Sequence, residues 1–252
     1  MMLLAAVAFA FFVVPLVGLA VRAPWGEMGE LLRSDQVRDA LGVSAIASVS
    51  AVLISAVFGI PLAWVLARSD FPGKSLVRGL VLLPLVLPPV VGGAALLFTL
   101  GRSGVFGEPI YEATGLVLPF SIWGVILAVT FVSMPFLVIT VEGALRNIDQ
   151  RYEGAASSLG ANRWTVIRKV TLPMIAPSLV AGLVLTWARA IGEFGATITF
   201  AGNIPGETQT LPLAVFLALE TDRDAAIALS LILVAISLIV LVALRDRWLP
   251  SR

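Results

Sequence analysis

Six long stretches without a charged residue constrain this 252-residue chain more than any other feature. They are 17 to 26 residues long and together hold 129 residues: 2–21, 43–66, 79–100, 116–141, 172–188 and 225–244. Because about 20 apolar residues let a helix cross the hydrocarbon core of a bilayer, we expect an all-α integral membrane protein with six transmembrane helices. This pattern excludes a soluble globular domain.

The first stretch differs from a cleavable signal peptide, which has a basic start and about 7–15 apolar residues. Here no charged residue precedes Arg22, and the run has 20 residues. We interpret it as the first span, and residues 1–252 as a single transmembrane domain.

The chain contains neither histidine nor cysteine. Imidazole bases, thiol catalysis, cysteine zinc sites and iron–sulfur ligation are therefore excluded. A net charge of +1 gives no support to nucleic-acid binding. We predict no catalytic residue, no metal site and no nucleic-acid partner, which leaves a membrane enzyme with few suitable side chains.

Basic residues favour one side of the membrane. Six spans place both termini on the same side of the membrane. Eleven basic residues lie on that side and five on the other, and Arg189 falls near or within the fifth span. The eleven are Arg68, Lys74, Arg78, Arg146, Arg151, Arg163, Arg168, Lys169, Arg245, Arg247 and Arg252. Because cytoplasmic loops are enriched in Lys and Arg, we expect both termini in the cytoplasm of a multi-pass plasma or inner membrane protein.

The opposite face is acidic. It carries ten Asp and Glu residues against five basic ones, so its charge is about −5, a sign that repels free anions. Direct capture of a free anion from that side would therefore be disfavoured.

Three prolines interrupt the third stretch. Pro84, Pro88 and Pro89 stand within six residues and should bend or unwind the helix. Gly92 and Gly93 follow, where another backbone can approach closely. We expect this segment to lie inside the bundle rather than against lipid.

The cytoplasmic loop 142–171 combines positive charge with helical periodicity. Its apolar positions recur at spacings of three and four residues: Leu145, Ile148, Tyr152, Ala155 or Ala156, and Leu159. Gly160 should end this helix, and Asn162 should cap a second short one. Periodicity alone fits a helix that docks on a partner as well as one that lies on lipid.

Residues 153–161 of this loop read EGAASSLGA and are followed by Leu172 and Pro173. This pattern resembles the EAA motif of ABC importer permeases, with Gly154 where many members have alanine. In that family the segment is the coupling helix, which docks in a groove of a separate ATP-binding subunit. The resemblance implies an ATPase-coupling role for Glu153, Gly154, Ala155, Ala156, Leu159 and Gly160.

Two further segments are similar to the molybdate-type permeases. They are FPGKS at 71–75 with LPLVLPP at 83–89, and the run at 188–213 that begins ARAIGEFGAT. Sulfate permeases share the Gly-Glu-Phe-Gly core and tend to diverge after it, so we favour molybdate and leave tungstate open. The Gly-Lys-Ser at 73–75 is not a phosphate loop, because Arg68 stands where that motif needs glycine.

The resemblance, which covers residues 40–245, implies a type I ABC importer permease fold (MetI-like) that imports molybdate or tungstate by alternating access. It also implies a homodimer in the lipid bilayer, cytoplasmic ABC ATPase subunits and an extracytoplasmic molybdate-binding protein. ATP and Mg²⁺ would bind the ATPase, so no cofactor is expected in this chain. The alternatives are a sulfate or thiosulfate ABC permease and a secondary transporter, which would commonly show internal repeats.

Arg189 and Glu193 stand four residues apart near the end of the fifth span, where a helix would place them on one face. An ionisable pair in a membrane span is a functional hypothesis, so both are candidates for lining the pathway. The alternative is a structural ion pair in which Arg189 extends toward the membrane surface.

Overall fold

The computed structural model describes residues 1–243, which form helices and no strands. In chain order the helices are α1 (Met2–Val21), α2 (Met28–Leu31), α3 (Asp35–Ile54), α4 (Ile60–Arg68), α5 (Lys74–Val86), α6 (Pro89–Leu100), α7 (Gly107–Thr114), α8 (Ile122–Asn147), α9 (Arg151–Ser158), α10 (Arg163–Val166), α11 (Leu172–Ile191), α12 (Gly195–Phe200), α13 (Leu211–Thr221) and α14 (Arg223–Ala243). Within these residues five helices are long and apolar enough to span a membrane, or six if the bent pair α5–α6 is one span. The predicted all-α membrane fold is confirmed.

Helix α8 is the central element of the bundle. In its first half, Val125 and Val129 pack with α3 and with Ala190 near the end of α11. In its second half, Leu137, Val141 and Leu145 pack with α4 and the start of α11. Lipid is as apolar as these side chains, so it is van der Waals packing along both halves that holds α3, α4 and α11 around α8.

Two of the spans contain a π-helical turn. Ser55–Gly59 joins α3 to α4, so this span is one helix from Asp35 to Arg68 and exceeds the predicted 43–66. Ile167–Thr171 joins α10 to α11, so the fifth span begins at Arg163 rather than near residue 172. The short helix that we predicted after Asn162 is therefore the first turn of this span, and Pro173 lies in the first turn of α11.

The fourth span is shifted along the chain. We expected it at 116–141, but α8 begins at Ile122 and continues to Asn147. Glu142 and Leu145 therefore belong to this span and not to the cytoplasmic loop. The charge of Glu142 ended the apolar stretch in the sequence, whereas in the structure this side chain is buried.

The predicted bend in the third stretch is confirmed. Helices α5 and α6 meet at an angle of 114°. Leu87 and Pro88, between them, are extended with ψ of 138° and 130°. The prolines lack the N–H that would continue the ladder of α5. Gly92 and Gly93 are buried as expected, whereas Val86 and Val90 are exposed on this chain.

Helices α12 and α13 follow the fifth span, and the sequence analysis did not predict them. The last span runs from Arg223 to Ala243, close to the predicted 225–244. Leu244, Arg245, Arg247 and Arg252, which entered our predictions for the last span and the C-terminus, lie outside the described residues.

Candidate functional site

Helix α9 forms the exposed element between the fourth and fifth spans. Gly160, at φ +85°, ends it, and the side chain of Asn162 caps α10 by accepting a hydrogen bond from the N–H of Thr165 at 2.8 Å. Both of these expectations are confirmed. The predicted continuous amphipathic helix is wrong, because α8 ends at Asn147 and α9 begins at Arg151. Leu145 is thus buried in the span while Leu159 lies at the surface.

Five of the six predicted coupling residues lie at the surface of this element. Gly154, Ala155, Leu159 and Gly160 are exposed, and Ala156 is half-buried. No atom lies within 4 Å of the position that a Cβ on Gly154 would take. Small side chains let another protein approach the helix backbone closely, so this surface is suited to contact with a partner.

Glu153 points inward instead. Its Oε1 accepts a hydrogen bond from Nη2 of Arg68 at 2.8 Å and another from the hydroxyl of Thr171 at 2.9 Å. Arg68 ends α4, and Thr171 ends the second π-helical turn. The carboxylate therefore fixes α9 to the ends of two spans, two contacts that were not predicted from the sequence.

A second ion cluster lies beside it, around Glu142. Only 5% of this residue is exposed, and its Oε1 accepts from Nε of Arg78 at 2.9 Å and lies 3.1 Å from Nη2 of Arg146. Both arginines also donate to the carbonyl oxygen of Leu66, near the end of α4. The sequence analysis missed this cluster; its signal was the spacing of four between Glu142 and Arg146, which places both on one helix face.

Arg189 and Glu193 do form an ion pair. Glu193, however, lies beyond the end of α11 and not on that helix, and it is 1% exposed. Its Oε1 accepts a hydrogen bond from the N–H of Ala196 at 2.7 Å, in the first turn of α12. The buried carboxylate therefore neutralises Arg189 and caps the next helix.

The break between α5 and α6 is in contact with the start of α12, just after the turn that follows α11. A Cβ on Gly195 would lie 2.9 Å from Cβ of Pro89 and 3.2 Å from N of Val90. A Cβ on Gly93 would lie 2.7 Å from the carbonyl oxygen of Ala196. Glycine at these positions lets α6 and α12 pack backbone to backbone. The start of α6 therefore lies beside Gly195, which is two residues along the chain from Glu193.

A bundle of apolar helices around α8, with an exposed helix of small residues fixed to the basic ends of its spans, defines a polytopic membrane protein. Nothing in residues 1–243 forms a cluster of three or more metal-ligating side chains. The chain belongs to the family of binding-protein-dependent transport system inner membrane components, whose model matches residues 59–252.

Molybdenum and sulfate permeases are among its relatives. It is 45% identical to the molybdenum transport system permease protein ModB of Mycobacterium tuberculosis over 94% of this chain and 89% of that protein. It is 43% identical to ModB of Escherichia coli K12 over 87% and 96% of the two chains. The sulfate transport system permease protein CysT of the same bacterium is 36% identical over 87% and 79%.

Solved transporters share the fold. A bacterial alginate ABC transporter in complex with an alginate pentasaccharide-bound periplasmic protein matches with a TM-score of 0.77 at 21% identity, over 98% of this chain and 93% of that one. The MetNI methionine ABC transporter in an inward-facing conformation matches with a TM-score of 0.57 at 17% identity, over 91% and 94%. The predicted fold of an ABC importer permease is thereby confirmed.

Proposed function

We propose that this chain is the permease subunit of an ABC importer that carries molybdate into the cytoplasm. The observation that supports this most is its 43–45% identity to molybdenum permeases over most of its length. The sulfate permease is more distant at 36%, so sulfate remains the second candidate. Tungstate has the same charge and tetrahedral shape as molybdate, and is a further candidate.

The partners follow from the family and from α9. A separate cytoplasmic ATPase, which binds ATP and Mg²⁺, contacts the surface of Gly154, Ala155, Ala156, Leu159 and Gly160. The basic residues around α9 support a cytoplasmic position for this face, and for both termini with it. Two copies of the chain form the pathway, and an extracytoplasmic molybdate-binding protein delivers the anion. The chain itself has no catalytic role and binds no cofactor.

Uptake in reconstituted vesicles tests this function. We expect ATP-dependent molybdate uptake that requires both the ATPase and the binding protein, because the acidic outer face disfavours direct capture of a dianion. Competition with tungstate and with sulfate identifies the anion selected. Equal uptake without ATP would point to a secondary transporter, and equal uptake without the binding protein would contradict the delivery step.

Arg189 is the candidate pathway cation, and Arg189→Gln separates its two possible roles. If Arg189 contacts the passing anion, the variant should lose a charge-assisted hydrogen bond worth about 1.5–3 kcal/mol, which is about a 10- to 100-fold lower uptake rate. Arg189→Lys, which keeps the charge, should retain more uptake. Normal uptake by Arg189→Gln, with normal assembly, would remove the pathway role and leave the structural ion pair.

A further inference from the structure

The break between α5 and α6 leaves backbone carbonyl groups without hydrogen-bond donors. Pro88 and Pro89 have no N–H, and the N–H groups of Val91 and Gly92 both bond to the carbonyl oxygen of Pro88. The carbonyl oxygens of residues 84–87 accept no hydrogen bond from any donor in the described part of the chain. Such groups are costly in an apolar medium, at several kcal/mol each in lipid.

These carbonyls lie at membrane depth. Thirteen helical residues separate the start of α5 from the break, which is about 20 Å at 1.5 Å per residue. A Cβ on Gly92, just after the break, would lie 3.1 Å from the ring of Phe131. Phe131 stands near the middle of α8, which spans 26 residues. The break is therefore within the hydrocarbon region and not at its edge.

Only one side of the break is covered by this chain. Gly195 contacts Pro89 and Val90 on the covered side. On the other side Val86 is 84% exposed, and Val90, although one of its methyl groups lies against Gly195, is still 53% exposed. Lipid cannot solvate free carbonyls, and non-helical backbone at this depth occurs only within protein or beside water. The apolar side chains here would suit lipid, but the backbone beneath them does not.

We infer that residues 86–91 line the water-filled pathway of the transporter, where water solvates the carbonyls of residues 84–87. This inference rests on the proposed function and adds the place where the anion crosses the membrane. Carbonyl oxygens carry partial negative charge and do not bind a dianion, so the segment holds water around a hydrated oxyanion and is not its binding site. Val86 and Val90 narrow this part of the pathway.

The absence of cysteine in the sequence makes the test direct. Single variants Val86→Cys and Val90→Cys, each in the complete transporter in vesicles, are treated with a charged methanethiosulfonate reagent. The control is Leu53→Cys in the last turn of α3, which is 61% exposed and precedes Ile54, a residue packed against the cluster that contains Val129 of α8. Molybdate uptake is measured in the same vesicles before and after labelling.

We expect the thiols at positions 86 and 90 to react at least about tenfold faster than that at 53, because the reactive thiolate forms only with access to water. We also expect the label to block uptake. Slow labelling at both positions in vesicles that transport normally would overturn the inference and leave the importer function intact. A disulfide between two copies at position 86, without labelling, would also overturn it, because the break would then be sealed by dry protein contact.

Discussion

Gly154→Trp is expected to weaken binding of this chain to its ATPase by about 5- to 150-fold, because overpacking a closely fitted contact costs about 1–3 kcal/mol. The position is exposed on α9, and a Cβ added there would meet nothing of its own chain within 4 Å, which leaves room for the indole to extend into solvent. Folding should therefore be unaffected, and the indole would collide only with a docked partner. Co-purification of the ATPase with wild type and variant measures the effect.

A matched control is available on the other side of the membrane from α9. Gly26 is also exposed, and a Cβ there would likewise meet nothing within 4 Å. Gly26→Trp should therefore co-purify with the ATPase as wild type does. If the ATPase tolerates Gly154→Trp equally well, or never associates with wild type, the docking role of α9 fails and a secondary transporter becomes the better interpretation.

The double variant Arg78→Met, Arg146→Met is expected to lower stability by about 3–5 kcal/mol, because it leaves a buried carboxylate unpaired. For a chain of this size that corresponds to about 10 °C in the unfolding midpoint. Methionine keeps much of the length of the arginine stem, so the loss comes from charge and hydrogen bonds more than from packing. Thermal unfolding of the detergent-solubilised protein measures it.

The relative losses of stability in three variants show which buried group is costly when it is left unpaired. Glu142→Gln should cost less, about 1–2 kcal/mol, since both arginines are partly exposed and can turn to water. Lys74→Met, which breaks the pair with the fully exposed Asp70 and keeps an apolar stem at position 74, should change the midpoint little. A larger loss for Glu142→Gln than for the double variant would show that the arginines, not the carboxylate, are the costly groups.

The fold could be predicted largely from where charges are absent. A membrane span must be apolar along its length, so the uncharged stretches marked the six crossings, and the prolines at 84–89 marked the break. The predicted ends of the spans were less accurate where a charged residue is buried or forms an ion pair. Glu142 is the example: paired with two arginines, it extends α8 beyond the apolar stretch.

The candidate site was predictable only in its local part. Gly160 and Asn162 act through their own backbone and nearest neighbours, so their residue types were enough to predict the helix end and the helix cap. The direction of Glu153 depends on Arg68, which is 85 residues away, and on Thr171, placed by a π-helical turn that leaves no clear trace in the sequence. Contacts of this kind require the packed structure.

The close approach of α6 and α12 has a mechanical consequence. At Gly93 and Gly195 the two helices touch through main-chain atoms, which, unlike side chains, have no rotamers with which to absorb a displacement. They should therefore move as one rigid body whenever the transporter changes state. The rotation must then be taken up at their common ends, in the extended residues 87–88 and in the turn at 192–194. The break between α5 and α6 and the turn after α11 thus form a single hinge axis. The carbonyl groups of residues 84–87, which lack hydrogen-bond donors, lie on that axis.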